Sequence, residues 1–101
     1  ASGAHAMAYT LKLPPPLPKE GWRVKIRDRE RLEPPHVTIF HKARIWRVSL
    51  RDGAFLEKGD GWSRIDRRVR EAIEENWNPL IREWDRLYPR NPVESGGDDD
   101  G

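Results

Sequence analysis

Apolar and polar residues alternate along three segments of the first half of the chain. In GWRVKIRD, residues 21–28, Trp22, Val24 and Ile26 alternate with Arg or Lys. This two-residue period is typical of a β-strand that buries one face. The segments HVTIF and RIWRVSL show a related pattern. The sequence therefore predicts three strands, each with an apolar face toward a core and the first with a basic outer face.

The second and third segments form a hairpin if Lys42 and Ala43 make its turn. In that register Ile39 lies opposite Trp46, and five apolar side chains share one face. These are Val37, Ile39, Trp46, Val48 and Leu50. A shift of one residue would send them to opposite faces. The hydrophobic pattern therefore predicts the pairing of the two strands.

The apolar spacing changes to a helical period in the second half of the chain. Apolar residues recur every three or four positions within residues 65–87. Ser63 and Asp66, at the start of this stripe, resemble a capping box. The stripe keeps its phase through Pro79, a residue that cannot donate a backbone hydrogen bond. The sequence thus predicts either one helix kinked at Pro79 or two nearly collinear helices.

Together these elements predict an α+β fold. We expect a three- or four-stranded antiparallel β-meander with a long C-terminal helical element on one face. The turn signal Asp52–Gly53 predicts the fourth strand over residues 54–57. We expect a disordered tag remnant and proline-rich leader over residues 1–19, a single α+β domain over 20–89 and a disordered acidic tail over 90–101.

Charge is divided unevenly along the 101 residues, whose net charge is +2. Residues 1–51 contain 11 Lys and Arg and 4 Asp and Glu, a net charge of +7. Residues 52–101 contain 8 Lys and Arg and 13 Asp and Glu, a net charge of -5, so the two halves together give +2. A basic half beside an acidic half indicates a polyanionic partner or head-to-tail association between copies.

Several classes of protein are disfavoured by composition. The chain has no cysteine, which excludes disulfides, thiolate metal sites and cysteine nucleophiles and fits a reducing cytoplasm. No run approaches the roughly 20 apolar residues that span a membrane. Glycine patterns of phosphate and dinucleotide loops are absent. We therefore expect a cytoplasmic protein with no membrane association, no cofactor and no metal.

Two histidines, His36 and His41, lie at the ends of the second predicted strand. They are five residues apart, and side chains alternate along a strand, so the two rings point to opposite faces. They cannot bind one metal ion from a regular strand. The spacing therefore argues against a histidine metal site.

A single histidine can still act as a general acid or base near neutral pH. His36 begins a strand after two prolines, where a side chain can be exposed and oriented. On the predicted outer face its neighbours are Thr38, Arg47 and Ser49. Arg47 would stabilise a phosphate while His36 moved a proton, which would suit metal-independent RNA cleavage. The alternative is that His36 caps the strand by hydrogen bonding.

Basic residues on the predicted sheet suggest nucleic-acid binding, because RNA-binding sheets combine cations for phosphates with aromatic rings for bases. The candidate residues are Arg23, Lys25, Arg27, Phe40, Arg44, Arg47 and Arg51. The other hypothesis is a non-catalytic protein-interaction module. It would use exposed tryptophans or the acidic residues of the helical segment, which are Glu71, Glu74, Glu75, Glu83 and Asp85.

The segment EPPHVTIFHKARIWRVSLRDGAFLE resembles a small bacterial family of unknown function. Pro35–His36, the Asp52–Gly53 turn and the EENW stretch at residues 74–77 occur in the family's order. Members are often encoded beside proteins that resemble antitoxins. The resemblance thus implies a toxin–antitoxin-like role, with RNA, DNA or an antitoxin-like protein as partner. Thr38 stands where the family has a second histidine, so only His36 carries over.

Overall fold

The computed structural model describes residues 9–27 and 33–94. Within these ranges the chain has the predicted α+β architecture, a four-stranded antiparallel sheet and two α-helices. The strands are β1 (Tyr9–Thr10), β2 (Trp22–Ile26), β3 (His36–His41) and β4 (Arg44–Ser49), and the helices are α1 (Arg67–Glu75) and α2 (Trp77–Leu87). A 3₁₀ turn, Trp62–Arg64, precedes α1.

The sheet is a meander in which each strand pairs with the next along the chain. The predicted register of the β3–β4 hairpin is confirmed, because Ile39 lies opposite Trp46 and Val37 opposite Val48. Lys42 takes a positive φ of 56° in the two-residue turn, a conformation uncommon outside glycine. The apolar face therefore determines the register even though the turn carries no glycine.

The sequence predicts a fourth strand beside β4, but in the structure the fourth strand lies at the opposite edge of the sheet, beside β2. The Asp52–Gly53 turn forms, with Gly53 at a φ of 76°. The returning segment, residues 54–57, forms a single bridge between Val48 and Phe55, flanked by one backbone hydrogen bond to Ser49 and one to Arg47, and does not extend into a strand. The strand prediction for this segment is corrected accordingly. β1 supplies the fourth strand by pairing with β2.

The proline-rich leader is also corrected, because residues 9–19 belong to the fold and only residues 1–8 lie outside the described ranges. Its leucines enter the core: Leu17 is fully buried, and Leu11 and Leu13 are nearly so. The Leu11 amide donates to the Val24 carbonyl at 2.9 Å. Lys12 separates the first two of these leucines, and three exposed prolines, residues 14–16, separate the last two. The segment therefore buries apolar side chains without a regular period.

The helical region is divided at Asn76, between α1 and α2. Pro79 lies in the first turn of α2, where the missing amide hydrogen has no cost within that helix. In one continuous helix, however, Pro79 would face the Glu75 carbonyl without a hydrogen to offer it. The Asn76 side chain donates to the Ala72 carbonyl at 2.8 Å. Pro79 thus accounts for the break between the two helices at Asn76, three residues earlier.

The core lies between the apolar face of the sheet and the helices. It unites strand residues such as Val24 and Ile39 with helix residues such as Ile73 and Leu80, all fully buried. Trp22, Trp46 and Trp84 are buried, whereas Trp77 is only half-buried. No helix in the described ranges has the length and apolar character needed to cross a membrane.

The segment after α2 closes one end of the sheet. The Tyr88 hydroxyl donates to the Arg27 carbonyl, and the Asn91 side-chain amide donates to the Glu33 carbonyl at 2.8 Å. Val93 is buried, and its amide donates to Asp85 at 2.8 Å. Residues 90–94 therefore pack on the domain, which corrects the predicted tail. Residues 95–101 lie outside the described ranges.

Asp66 begins α1 as its N-cap. Its carboxylate accepts a hydrogen bond from the Arg68 backbone amide at 2.8 Å and from the Arg68 guanidinium. The hydrogen bond from the Arg68 side chain has the larger effect and that from its backbone amide the smaller, and together they lower the pKa of Asp66 to about 2. The carboxylate therefore stabilises the folded state above its ordinary pKa of 3.8. This contribution is lost as the pH falls toward 2.

We expect Asp66→Ala to lower the free energy of unfolding by about 1 kcal/mol at pH 7, the usual cost of losing an N-cap. The difference from the wild type should shrink between pH 4 and pH 2, since protonation removes the charge in the wild type. Urea unfolding at several pH values measures it. Asp66→Asn keeps a side chain that can cap the helix, so it should lower the free energy of unfolding at pH 7 by less than Asp66→Ala. A difference that stays constant down to pH 2 would contradict the assigned role of the charge.

Candidate functional site

The sheet has one covered face and one open face. Trp22, Val24 and Ile26 of β2 point into the core, so the intervening residues point the opposite way. We call this opposite side the open face. Its outward side chains are Arg23, Lys25, Arg27, Phe40, Ile45 and Arg47. Thr38 has the same strand parity but is fully buried, so the sheet is covered at that position. An antiparallel sheet of this kind packs one face and solvates the other.

Phe40 lies at the centre of the open face. The strand register puts Arg23 on one side of it and Ile45 on the other. Lys25 Nζ and Arg27 Cζ each lie 5.8 Å from the centroid of the Phe40 ring. The ring is partly exposed, and cations at this distance are attracted to an aromatic ring. The arrangement places an accessible aromatic surface among positive charges.

Two cations of the open face are available to an external anion. Neither Arg23 nor Lys25 forms an ion pair with a carboxylate in the described part of the chain. Arg23 and Arg27 are exposed, and Lys25 is half-buried. The basic outer face that the alternation of β2 predicted is therefore present.

Arg47 lies on the same face but is held by two carboxylates. Its guanidinium donates to Glu33 at 2.9 Å and to Glu57. The hydrogen bond with Glu57 is the main reason that the pKa of Arg47 is raised above its ordinary value. A phosphate would have to compete with both acids. Arg47 therefore connects β4 with two neighbouring segments, and the prediction that it binds nucleic acid has little support in these contacts.

His36 is fully buried, which corrects the expectation that its ring is exposed at the start of β3. Its Nδ1 lies 2.8 Å from the Pro34 carbonyl, so this nitrogen carries the proton and donates it. The ring packs against Trp84, with centroids 5.6 Å apart. A general acid or base must reach the proton that it transfers. The burial favours the alternative that His36 holds the strand start by hydrogen bonding.

His41 is on the opposite face of β3 from His36, as the spacing predicts. Its ring stacks on Trp22 with centroids 3.9 Å apart. Within residues 9–27 and 33–94, no three His, Asp or Glu side chains are grouped so that they could hold a metal ion. Stacking is therefore the interaction that the structure gives to His41.

Two of the predicted basic residues lie away from the open face. Arg44 pairs with His41 on the core side, and its guanidinium carbon lies 5.9 Å from the Trp46 ring. Arg51 follows β4 and donates from Nε to the Val93 carbonyl at 2.7 Å. The structure therefore does not bring them together with Arg23 on one face. Strand parity turns Arg44 to the other side, and the C-terminal segment engages Arg51.

The acidic helical residues proposed for a protein interface mostly have partners within the chain. Glu74 pairs with Arg70 at 2.9 Å and Glu83 with Arg86 at 2.6 Å. Glu71 lies 3.6 Å from Arg67, one turn away in the same helix. These pairs reduce the net field of the helices. The helical face is therefore less acidic than its composition indicates.

The half-buried tryptophans are likewise engaged. The Arg70 guanidinium carbon lies 5.0 Å from the Trp62 ring, which also meets Phe55 edge-on. Trp62 and Trp77 line a shallow groove that also includes Asp52. Trp62 therefore already contacts a cation and an aromatic ring of the same chain.

The sequence analysis did not single out Ile45. It is the exposed large hydrophobic residue of the described chain, with 53% of its surface accessible. Its parity in RIWRVSL, opposite to Trp46 and Val48, is the signal that would have assigned it to the open face. Comparison of the chain with protein-family models, curated proteins and solved structures found no match.

Proposed function

We propose that this protein binds single-stranded nucleic acid, RNA or DNA, on the open face of its sheet. The observation that supports this most directly is the partly exposed Phe40 ring with Lys25 and Arg27 each 5.8 Å from its centroid. One base would stack on the ring while the neighbouring cations contact the phosphates on either side. Stacking tolerates any base, because every base has a π face.

A single strand fits this surface better than a duplex. The bases of a single strand can be splayed onto an aromatic side chain, whereas those of a duplex are already stacked. The open face has one aromatic ring and a short row of cations along β2. Within residues 9–27 and 33–94, no helix projects from it to enter a major groove. We therefore expect weak, sequence-tolerant binding that depends on salt.

The expected salt dependence follows from the number of phosphates contacted. If Arg23 and Lys25 each neutralise one phosphate, log K should fall with log salt concentration with a slope of about -1.4 for a single strand. This slope can be measured by fluorescence anisotropy. The probe is a labelled ten-nucleotide mixed-sequence RNA, titrated at salt concentrations from about 25 to about 200 mM. Binding that does not change over the series would contradict the proposal.

Matched substitutions test the location of the site. Arg23→Glu should abolish most of the binding, because it reverses a charge beside Phe40. Arg82→Glu makes the same change on α2 at another exposed arginine and should leave binding within about twofold. Phe40→Leu keeps an apolar side chain but removes the ring, and should weaken binding by about tenfold or more. Equal effects of the two charge reversals would place the site elsewhere.

The resemblance of residues 33–88 to a toxin–antitoxin-associated family is consistent with a nucleic-acid ligand. We propose this cellular role together with the binding activity. RNA cleavage is not part of the proposal, since the His36 ring is fully buried. We therefore expect His36→Ala to alter the stability of the protein. Neither this variant nor the wild type should cleave the RNA.

A further inference from the structure

The outer edge of β4 is only partly covered. β4 is the last strand of the sheet, and residues 54–56 pair with its C-terminal half. The Ser49 amide donates to the Ala54 carbonyl at 2.8 Å, and the Leu56 amide donates to the Arg47 carbonyl at 2.9 Å. The odd-numbered residues of β4 therefore direct their backbone groups to the outer edge.

Ile45 precedes Arg47 by two residues, so its N–H and C=O point to the same outer edge. In the described part of the chain neither group has a backbone partner on that side. The Ile45 side chain is 53% exposed beside them. Unpaired strand edges are templates for another strand, and an adjacent exposed apolar side chain adds a contact for one.

The charges near this edge indicate what would pair with it. Lys42 and Arg44 are both exposed, and neither has an ion-pair partner within the described ranges. Cations on an edge strand oppose pairing with neutral or basic strands and favour an acidic one. The edge combines an apolar position on the open face with a basic position on the core side.

We propose that the edge of β4 around Ile45 binds an extended acidic segment of another protein as an added antiparallel strand. In that strand an apolar residue would lie opposite Ile45, and an acidic residue beside it would lie opposite Arg44. The added strand would accept a hydrogen bond from the Ile45 amide and donate one to the Ile45 carbonyl. This inference does not depend on nucleic-acid binding.

Two other occupants fit less well. A second copy would bring its own Lys42 and Arg44 to an edge that already carries these cations. The chain's own C-terminal residues 95–101, SGGDDDG, are acidic but contain no apolar residue to pair with Ile45, and Gly and Asp are poor strand residues. An acidic, alternating segment of a partner satisfies both the charge and the apolar requirement.

The probes are three eight-residue peptides. The first alternates Glu and Val, the second alternates Lys and Val, and the third is the Glu–Val peptide with two central valines N-methylated. Titrations of ¹⁵N-labelled full-length protein should give shifts at the Ile45 amide with the first peptide. The other two should bind about tenfold more weakly or not detectably, because one reverses the charge and the other removes backbone donors.

Protein variants test the same contact. Ile45→Pro removes the outward amide and leaves the ladder with β3 intact, since proline is tolerated at an edge. It should weaken the binding of the Glu–Val peptide by about tenfold. Should this variant unfold, Arg44→Glu serves instead and should reverse the preference between the Glu–Val and Lys–Val peptides. Arg82→Glu is the matched control, with no expected change.

Three results would overturn the proposal. These are no shift at Ile45 with the Glu–Val peptide at millimolar concentration, equal binding of that peptide when N-methylated, and sedimentation showing that the free protein dimerises through this edge. Loss of RNA binding in the Arg23→Glu variant has no bearing on any of them. The two proposals therefore succeed or fail separately.

Discussion

Replacing Trp84 with Ala is expected to lower the free energy of unfolding by about 3–5 kcal/mol, the range for removing a large aromatic side chain from a core. Trp84 is fully buried, and its indole N–H donates to the Asn91 carbonyl at 2.7 Å. Its ring packs against Tyr88 at 4.2 Å between centroids. The substitution removes the apolar volume and the hydrogen bond at once.

Far-UV circular dichroism during thermal and urea unfolding is the appropriate measurement, because a tryptophan probe would itself be changed. A loss of this size should lower the midpoint temperature by at least about 12 °C in a domain of this length. Trp77→Ala is the matched control, since Trp77 is in the same helix but only half-buried. Equal costs at the two positions would contradict the burial that distinguishes them.

Replacing Leu17 with Ala is expected to cost about 2–5 kcal/mol, although Leu17 belongs to a segment whose composition suggests a flexible leader. The Leu17 side chain is fully buried. Its carbonyl also accepts a hydrogen bond from the Trp22 amide at 3.1 Å at the start of β2. The side chain therefore anchors the leader against the core where it enters the sheet.

Lys19→Ala provides the comparison, because Lys19 is exposed two residues away. It should change the free energy of unfolding by no more than about 0.5 kcal/mol. Urea unfolding of both variants separates side-chain burial from a general effect of altering the segment. A Leu17→Ala variant as stable as Lys19→Ala would show that residues 9–19 do not contribute to folding.

The sequence was sufficient for the parts of the fold that have a regular period. The alternation around Ile39 and Trp46 allowed one register, because a shift of one residue exposes every buried side chain of the strand. The leader gave no such signal. Leu11, Leu13 and Leu17 are irregularly spaced among prolines, and their burial depends on a sheet built from later residues.

The candidate site was predictable only where side-chain direction follows from strand parity. Parity correctly put Arg23, Lys25 and Phe40 on one face. It would also have separated Arg44 from them. The surroundings of Arg51 and His36 could not be predicted in this way, because Val93 and Trp84, which contact them, are remote in sequence.

The bonds from Tyr88 and Asn91 to the Arg27 and Glu33 carbonyls join residues that are 61 and 58 positions apart. Synthesis on the ribosome proceeds from the N-terminus, so the β2–β4 hairpins emerge well before α2 and its following segment. Until then the core side of the sheet, with Val24 and Ile39, has no helix to cover it. At about 5–20 residues per second, the nascent chain therefore passes through a period of several seconds in which this apolar face is exposed and open to aggregation.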